Sequence, residues 1–257
     1  MLRVCLLASG SKGNAILIEA GDSRLMIDAG LSARELNRRL ELIGSAGDAL
    51  NAVMVTHEHG DHCRGLGPMA RRYKLPVFMH HHTRAALRSP GPLDDCREFD
   101  DGCTFAFQDV QIETVPLTHD AVAPVGFLID TPEGKVGVLT DLGIATRLVA
   151  DRYRQCRVLI LEFNHDQQML WDGPYPWHLK QRIRSNHGHL SNDAAARLLS
   201  DLVWDGLEGV FLAHLSETNN CPQLAEQGAR EVLAAQNLCD PQLLVGSQAR
   251  PSDCFTV

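Results

Sequence analysis

The stretch VTHEHGDH, residues 55–62, guides the interpretation of the whole sequence. Four ligand-type side chains lie within six residues, directly after an apolar run at 52–56: His57, His59, Asp61 and His62. Imidazole and carboxylate groups suit Zn²⁺, Mn²⁺ or Fe²⁺. The spacing excludes the helical HExxH motif, because Asp61 and not a histidine lies four residues after His57. We therefore predict a loop that leaves a buried strand and turns these side chains towards two neighbouring metal ions.

Two metal sites need more than four ligands, and the chain offers three further candidates. His119, Asp141 and His214 each follow an apolar run typical of a buried strand. A single histidine after a strand is more often structural. Because the same context recurs three times downstream of the dense cluster, we predict that all three residues belong to the metal centre.

The predicted elements alternate between strands and helices. Strands are predicted at 2–8, 14–20, 24–30, 52–56, 76–80, 103–107, 110–116, 124–130, 135–140, 157–163, 209–215 and 242–246, where the last would complete the chain. Helices are predicted at 33–43, 63–73, 144–151, 176–185, 191–203 and 222–236, and the histidines at 80–82 are read as a further helix start. This order predicts an α/β fold with two sheets and a single domain spanning 1–257.

Composition limits the classes of protein that fit. The net charge of −8 argues against a general nucleic-acid coat, although a local basic groove remains compatible with it. No stretch approaches the roughly 20 apolar residues of a membrane span. The eight cysteines include no CxxC pair, so we expect reduced, mostly buried thiols and a cytoplasmic location, with no membrane partner.

These motifs resemble the metallo-β-lactamase superfamily across essentially the whole chain. The resemblance implies an αββα four-layer sandwich with two divalent metal ions, zinc above all, with manganese or iron as alternatives. It implies that His57, His59 and His119 hold one ion. It assigns the second ion to Asp61, His62 and His214, and it has Asp141 bridge both ions together with a water or hydroxide.

The later motifs resemble the RNase Z branch, and the full set resembles the YycJ (WalJ) group. Glu162 ends a strand, GHLS at 188–191 opens a helix, and AHLS at 213–216 ends a strand. By this resemblance His214 is a metal ligand, whereas His189 donates a proton to the leaving oxygen. Asp61 is also expected to accept the proton of the nucleophile. Ser191 is a suitable helix cap, so His189 lies just before a helix N-terminus, where anions are favoured.

The resemblance implies a phosphodiesterase or nuclease, similar to a DNA exonuclease, with nucleic acid or another phosphodiester as substrate. The alternatives are a hydrolase of small thioesters or cyclic phosphodiesters and, further away, a binding module that has lost its metals. The sequence leaves open the choice of DNA or RNA, exo or endo cleavage and the oligomeric state. Several roles also stay open, including contact of the first turn (Ser9, Ser11, Gly13, Asn14) with the site. The other open roles are those of Glu162, Asn164, His165, Asp166, Trp171, Tyr175, Trp177, Lys180, Arg182 and Arg184.

Overall fold

Fourteen strands form the centre of the fold in the computed structural model, which describes all 257 residues. The strands are β1 (Leu2–Ala8), β2 (Ala15–Ala20), β3 (Ser23–Ile27), β4 (Ala52–Met54), β5 (Val77–His80), β6 (Cys96–Phe99), β7 (Thr104–Phe107), β8 (Val110–Pro116), β9 (Val125–Thr131), β10 (Gly134–Leu139), β11 (Val158–Glu162), β12 (Gly209–Ala213), β13 (Gln242–Val245) and β14 (Phe255–Thr256). They divide into two seven-stranded sheets, in the orders β14-β1-β2-β3-β4-β5-β6 and β13-β12-β11-β10-β9-β8-β7.

Each sheet is part antiparallel and part parallel. In the first sheet β1, β2 and β3 are antiparallel, and β3 to β6 are parallel. In the second sheet β7 to β10 are antiparallel, and β10 to β13 are parallel. The parallel strands require crossover connections, and helices provide most of them.

Nine helices accompany the sheets. They are α1 (Ala33–Leu42), α2 (Gly60–Cys63), α3 (Leu66–Tyr73), α4 (His81–Ala86), α5 (Arg147–Arg152), α6 (Gln167–Asp172), α7 (Trp177–Arg184), α8 (Asn192–Leu202) and α9 (Pro222–Ala234). Side-chain caps fix several of their starts: Ser32 accepts from Glu35 N, and Ser191 accepts from Ala194 N. No helix has both the length and the apolar composition needed to cross a membrane.

Three buried apolar clusters separate four layers. One cluster of 25 residues lies between the sheets and takes members from both. A second cluster, of 18 residues, packs the first sheet against α1 and α3, and a third, of 21, packs the second sheet against α5, α8 and α9. Three cores imply four layers, in the order helix, sheet, sheet, helix. The predicted αββα sandwich is therefore confirmed.

Burial on both faces explains why many strands read as continuous apolar runs. In β11, Val158 and Ile160 belong to the core between the sheets, whereas Leu159 and Leu161 pack against the helices. A strand between two cores needs apolar residues at every position, not at alternate ones.

Three features differ from the elements predicted, and one that was predicted is confirmed. The helix at 63–73 is two helices, because α2 already begins at Gly60 and ends before Gly65, and α3 then begins at Leu66. The helix predicted near 144–151 begins only at Arg147, because the Thr146 side chain caps it. The loop containing Trp171 includes a helix, α6, capped by Asp166. The histidines at 80–82 do begin a helix, with His80 as its cap.

The edges of the first sheet carry two strands that were not predicted. β6 is mostly exposed and has charged residues at its centre, so it lacks the apolar pattern of a strand. β14 has two residues and pairs with β1, so the strand near 242–246 does not complete the chain. The eight cysteines are free as predicted, but the expectation that most are buried was wrong, since only Cys5 and Cys156 are.

The ends of six strands bring a set of polar residues to one edge of the sandwich. Asp28, His57, His119, Asp141 and His214 follow β3, β4, β8, β10 and β12, and Glu162 is the last residue of β11. Three of these residues have left-handed backbone conformations, with φ of 61° at Asp28, 59° at Asp141 and 55° at His214. Non-glycine residues rarely adopt this region, and such strain concentrates at functional sites.

Candidate metal centre

The motif at 55–62 forms a turn between a buried strand and a short helix. After β4, His57 lies in the loop and His59 is the N-terminal cap residue of α2. Asp61 and His62 lie on α2 itself. The predicted loop therefore holds for His57 and His59, whereas Asp61 and His62 lie on a helix that begins earlier than predicted.

The structure brings all seven predicted ligand residues together. The possible ligand atoms of His57, His59 and His119 lie within 4.8 Å of one another. The same limit holds for Asp61, His62 and His214, and for a third group made of His57, His62 and Asp141. Asp141 thus lies between the two sets, with Oδ2 3.3 Å from His62 Nε2 and Oδ1 3.8 Å from His119 Nε2.

Four of the histidines are held through Nδ1. His57 Nδ1 lies 2.9 Å from Thr56 Oγ1, and His119 Nδ1 lies 3.0 Å from the carbonyl oxygen of Gly188. His62 Nδ1 is 2.7 Å from Asp28 Oδ2, and His214 Nδ1 is 2.9 Å from Glu162 Oε1. A ring that donates through Nδ1 keeps Nε2 as the lone-pair nitrogen. This is how protein metal sites orient histidine ligands.

Unpartnered buried atoms show that the residues fit a metal. His57 Nε2, His214 Nε2 and Asp141 Oδ2 are buried and form no hydrogen bond within the protein. An unpaired buried polar atom costs roughly 1–3 kcal/mol. Three such atoms in one cluster of imidazole and carboxylate groups are accounted for if divalent cations bind there.

The charges of the cluster favour cation binding. Burial lowers the pKa of His57 well below its usual value, and the neighbouring histidines lower it further. Burial raises the pKa of Asp141 and Asp61, but histidines, His214 foremost, more than offset this effect, so both carboxyl pKa values are lowered. Burial lowers the pKa of His62 and His214, but the neighbouring carboxylates, Asp141 foremost, more than offset this effect, so the pKa of His62 is raised to about 9 and that of His214 is raised above its usual value. Because metal binds neutral imidazole and ionised carboxylate, ions at this cluster would displace a proton from each of these two rings.

Glu162 holds the two histidines of the repeated His-Leu-Ser tripeptide. Its buried carboxylate accepts from His189 Nδ1 at 2.7 Å and from His214 Nδ1 at 2.9 Å. It also accepts from the backbone N–H groups of Leu142 and Leu190. His189 precedes the Ser191 cap of α8, and its side chain is 18% exposed, compared with 3% for His214. The two histidines therefore share an anchor but differ in access to solvent.

Two residues at the site were not singled out by the sequence. Asp28 accepts from the N–H and hydroxyl groups of Thr56 as well as contacting His62. It follows β3 as Asp141 follows β10, so its position at the end of an apolar run was an available signal. The second residue is Asp120, which directly follows His119 and forms an ion pair with the sequence-distant Arg182.

The first turn of the chain contacts the site. Ser9 Oγ accepts from His214 N at 2.6 Å. Asn14 Nδ2 lies 3.0 Å from His62 Nε2, and Asn14 N donates to the carbonyl oxygen of Asp61. Of the two readings that the sequence leaves open, a hairpin turn alone and a turn touching the site, the geometry shows the second.

The residues after Glu162 support the backbone beneath the site. Asn164 Nδ2 donates to the carbonyl oxygen of His214 at 2.9 Å. His165 is buried, and burial lowers its pKa to about 4. Asn220 Nδ2 bonds the carbonyl oxygens of Phe163 and Asn164. These contacts fix the strand ends that carry Glu162 and His214.

A cleft of about 280 Å³ lies above the cluster and is called the histidine cleft below. Its floor includes His59, Asp61, His119, Asp141, His189 and His214. The segment around α7 supplies one wall, through Tyr175, Leu179, Arg182 and Ile183. Trp171 and Trp177 pack against each other, neither lines the cleft, and both are more than half exposed. Of the three aromatic residues considered from the sequence, Tyr175 is thus the one in the cleft.

Comparison with known proteins identifies the family. A family model described as a β-lactamase superfamily domain matches residues 23–214. The chain is 34% identical to exodeoxyribonuclease YycJ of Bacillus anthracis over 235 residues, which cover 90% of this chain and 89% of that protein. It is also 34% identical to exodeoxyribonuclease WalJ of Streptococcus pneumoniae over 238 residues, covering 91% and 88%.

Solved structures agree on the fold. The metallo-β-lactamase fold protein YhfI from Bacillus subtilis superposes with a TM-score of 0.70 at 14% identity, covering 98% of this chain and 99% of that one. The sequence resemblance stated above is therefore confirmed. The chain belongs to the β-lactamase superfamily and has the metallo-β-lactamase fold.

Proposed function

We propose that the protein is a metal-dependent phosphodiesterase that degrades DNA as an exonuclease. The observation that carries this proposal is His189, held by Glu162 at the rim of a seven-residue histidine and aspartate cluster. The relatives support the choice of substrate, because the two proteins 34% identical over about nine-tenths of the chain are both named exodeoxyribonucleases.

The cluster would hold two divalent ions, with zinc as the expected metal. We assign His57, His59 and His119 to one ion, Asp61, His62 and His214 to the other, and Asp141 to both. Bound ions of this kind lower the pKa of water towards neutrality and neutralise charge on a phosphodiester. The buried and unpaired Nε2 atoms of His57 and His214 are the structural support for this assignment.

The side chains of the cleft then divide the proton transfers. Asp61, whose side chain is 24% exposed, faces the cleft and accepts a proton from the attacking water. His189 keeps Nδ1 on Glu162, which leaves Nε2 to protonate the leaving 3′ or 5′ oxygen. Positioned acids and bases of this kind typically contribute 10²–10⁴-fold to the rate. Glu162 is a positioning residue, since it touches both histidines and not the substrate.

Arg182 lies in the same cleft and can contact the non-bridging phosphate oxygens. It is paired with Asp120 and is 56% exposed, so it is accessible to a ligand. Lys180 and Arg184 contact Trp171 instead. Lys180 Nζ donates to the carbonyl oxygen of Trp171, and the Arg184 guanidinium lies over the Trp171 ring. Of the basic patch at 180–184, only Arg182 is part of the cleft.

The alternatives are less well supported. A small thioester or cyclic phosphodiester would need no long contact surface, and the full-length relatives are named nucleases. A metal-free binding module would have lost ligand residues, whereas all seven are present and grouped. The cytoplasmic location stays a prediction.

The proposal is tested on end-labelled DNA. Purified protein supplied with Zn²⁺ or Mn²⁺ should release mononucleotides progressively from single-stranded or double-stranded substrates, and the His59→Ala variant should not. Parallel assays with a labelled RNA and a cyclic dinucleotide distinguish the alternatives. No cleavage of any DNA by the parent protein, or equal cleavage by parent and variant, would refute the proposal.

A further inference from the structure

A second and larger groove opens next to the histidine cleft. Its volume is about 870 Å³, roughly three times the 280 Å³ of the cleft. The two spaces share His59, Asp61, Asp120 and Arg182, so they are continuous at the metal cluster. The far part of the groove lies between α2, α3 and the segment at 86–91.

Three arginines line the far part, and we call it the arginine groove. Arg64, Arg71 and Arg88 are exposed, and none of them forms an ion pair within the structure. Other surface arginines do form ion pairs: Arg84 is paired with Glu98, and Arg97 is paired with Asp95. In a chain of net charge −8, three unpaired guanidinium groups in one hollow form a local positive region.

The backbone around the groove is fixed. Arg71 donates to the carbonyl oxygens of Pro90 and Pro92, at 2.9 and 3.1 Å. A Cβ at Gly67 would lie 1.8 Å from the carbonyl oxygen of Pro90, so α3 and this segment touch directly. Because the segment is docked on α3, Arg88 is held on the same side of the molecule as Arg64 and Arg71.

The carboxylates of the groove lie at its other end. Glu58, Asp61 and Asp120 are all next to the cluster, where Glu58 accepts from Val122 N and Asp120 pairs with Arg182. Negative charge is thus concentrated at the end of the groove where cations are expected. Positive charge is concentrated in the far part, away from the cluster. A strand whose scissile phosphate lies at the cluster would meet arginines with its next phosphates.

The arginines of the groove come from different elements. Arg64 is the C-terminal cap residue of α2, Arg71 lies on α3, and Arg88 lies in the segment at 86–91. The backbone of a polynucleotide presents a series of phosphates to such a set, whereas a single phosphate or a small cyclic diester presents one or two. Guanidinium groups are well suited to phosphate oxygens because they donate two parallel hydrogen bonds.

We propose that the arginine groove binds the phosphates of the substrate strand beyond the scissile bond, through Arg64, Arg71 and Arg88. This inference rests on the proposed nuclease function and adds the path that the strand takes away from the metal cluster. It makes catalysis depend on strand length: a long strand uses the groove, and a small diester uses the histidine cleft alone.

The variant that tests this inference is Arg64→Gln combined with Arg88→Gln. Arg71 is left unchanged because it anchors the neighbouring segment. The matched control is Arg34→Gln with Arg72→Gln, two exposed arginines that also lack ion pairs and line a separate hollow. Both double variants remove the same charge, so a general electrostatic effect would appear in both.

Three measurements are made on the metal-loaded proteins. The first is kcat/KM on a 12-nucleotide DNA, the second is hydrolysis of bis(p-nitrophenyl) phosphate, and the third is binding of a fluorescent phosphorothioate 12-mer over a range of salt. For the groove variant we expect the 12-mer kcat/KM to fall about tenfold or more through KM, with the small diester unchanged. The slope of log Kd against log salt should decrease by about 1.4, since each phosphate contact on a single strand contributes about 0.7.

Equal 12-mer hydrolysis and equal binding by the groove variant and the parent would overturn the inference. So would equal losses in the groove and control variants, because the effect would then be a general one. A parent protein that hydrolyses no diester would instead refute the proposed function, and the binding measurement would still decide whether the groove holds a strand. If an acidic peptide competed with the 12-mer better than an unlabelled oligonucleotide, the groove would be assigned to a protein partner and the inference would fail.

Discussion

At the residue scale, Glu162 anchors the histidines of both copies of one tripeptide, to which we assign different roles. Both histidines donate Nδ1–H to the same buried carboxylate, yet His214 is inside the cluster and His189 lies at its rim. The backbone decides this difference, since His214 directly follows β12 and His189 lies two residues before the cap of α8. A ligand and a proton donor can therefore share one orienting group.

Replacing Glu162 with glutamine should impair both histidines. The amide retains the size of the carboxylate but carries no charge, and its nitrogen cannot accept from the backbone N–H groups of Leu142 and Leu190, which bond Oε2. We expect metal affinity to fall about 10–100-fold, as with other orienting groups of metal ligands. Competition with a chromophoric chelator measures this directly, and parent-like affinity would contradict the role given to Glu162.

Replacing His189 with alanine should separate metal binding from proton donation. We expect full metal content and a loss of about 10²–10⁴-fold on DNA, whose leaving oxygen needs a proton. Activity on bis(p-nitrophenyl) phosphate should change little, because p-nitrophenolate leaves without protonation. If the variant instead had low metal content, and recovered normal activity once metal was restored, His189 would be a ligand and not an acid.

The sequence predicts the dense part of the site better than its supports. The residues at 55–62 are recognisable because four ligand types occur in six positions, and His119, Asp141 and His214 each repeat the same strand-end context. Asp28 has that context too, but its partner His62 lies 34 residues away and only the folded chain brings them together. The role of Asn14 stayed open because a hairpin turn alone would also explain it, and its contact with His62 exists only in the folded chain.

At the element scale, the site depends on close backbone contact between three segments. Gly30 N donates to Asn14 O, and Asn14 N donates to Asp61 O. A Cβ at Gly30 would lie 1.6 Å from the carbonyl oxygen of Asp61. The end of β3, the first turn and α2 therefore fit together only with glycine at position 30.

Gly30→Ala should displace α2 and weaken metal binding. We expect destabilisation of about 1–3 kcal/mol from overpacking, accompanied by lower metal content. Gly228→Ala is the matched control, because nothing lies within 4 Å of the added methyl group on α9. The control should be more stable by about 0.4–1 kcal/mol. Urea unfolding compares them, and equal stability of the two variants would contradict the close contact.

The elements missed from the sequence share a physical cause. β6 and β14 lie at sheet edges, where tertiary pairing and not an apolar pattern creates the strand. α6 has one buried residue, Leu170, so it shows no apolar periodicity. The buried strands and the amphipathic helices were predictable because the cores on both sides of each sheet dictate their composition.

At the scale of the whole molecule, the candidate metal centre takes its residues from both halves of the sandwich. The first sheet supplies the residues that follow its strand β4, which are His57, His59, Asp61 and His62. The second sheet supplies the residues that follow β8, β10 and β12, which are His119, Asp141 and His214. The core between the sheets is also shared, and β14 returns the end of the chain to β1. We propose on these grounds that residues 1–257 fold as one domain.

Metal removal should lower the melting temperature. A ligand present at 100 times its Kd stabilises the folded state by about 2.7 kcal/mol for each site. For a chain of this size that corresponds to roughly 5–10 °C per site. Calorimetry with and without a chelator measures the shift, and His59→Ala should reduce it. Identical melting temperatures in both conditions would show that the ions do not join the halves.

The arginine groove also belongs to the scale of the whole molecule. Arg64, Arg71 and Arg88 are scattered in the sequence among other charged residues, and no motif marks them. Docking of the segment at 86–91 on α3 is what gathers them. The net charge of −8 argues against a general nucleic-acid coat but gives no information on this local region.

The metal content of the reconstituted protein tests the central claim most directly. Protein stripped with a chelator, reloaded with Zn²⁺ and desalted is measured by inductively coupled plasma mass spectrometry beside His59→Ala and His214→Ala. The account predicts about two ions per chain in the parent and fewer in each variant. Fewer than one ion per parent chain would contradict it and would favour a binding module that has the fold without the chemistry.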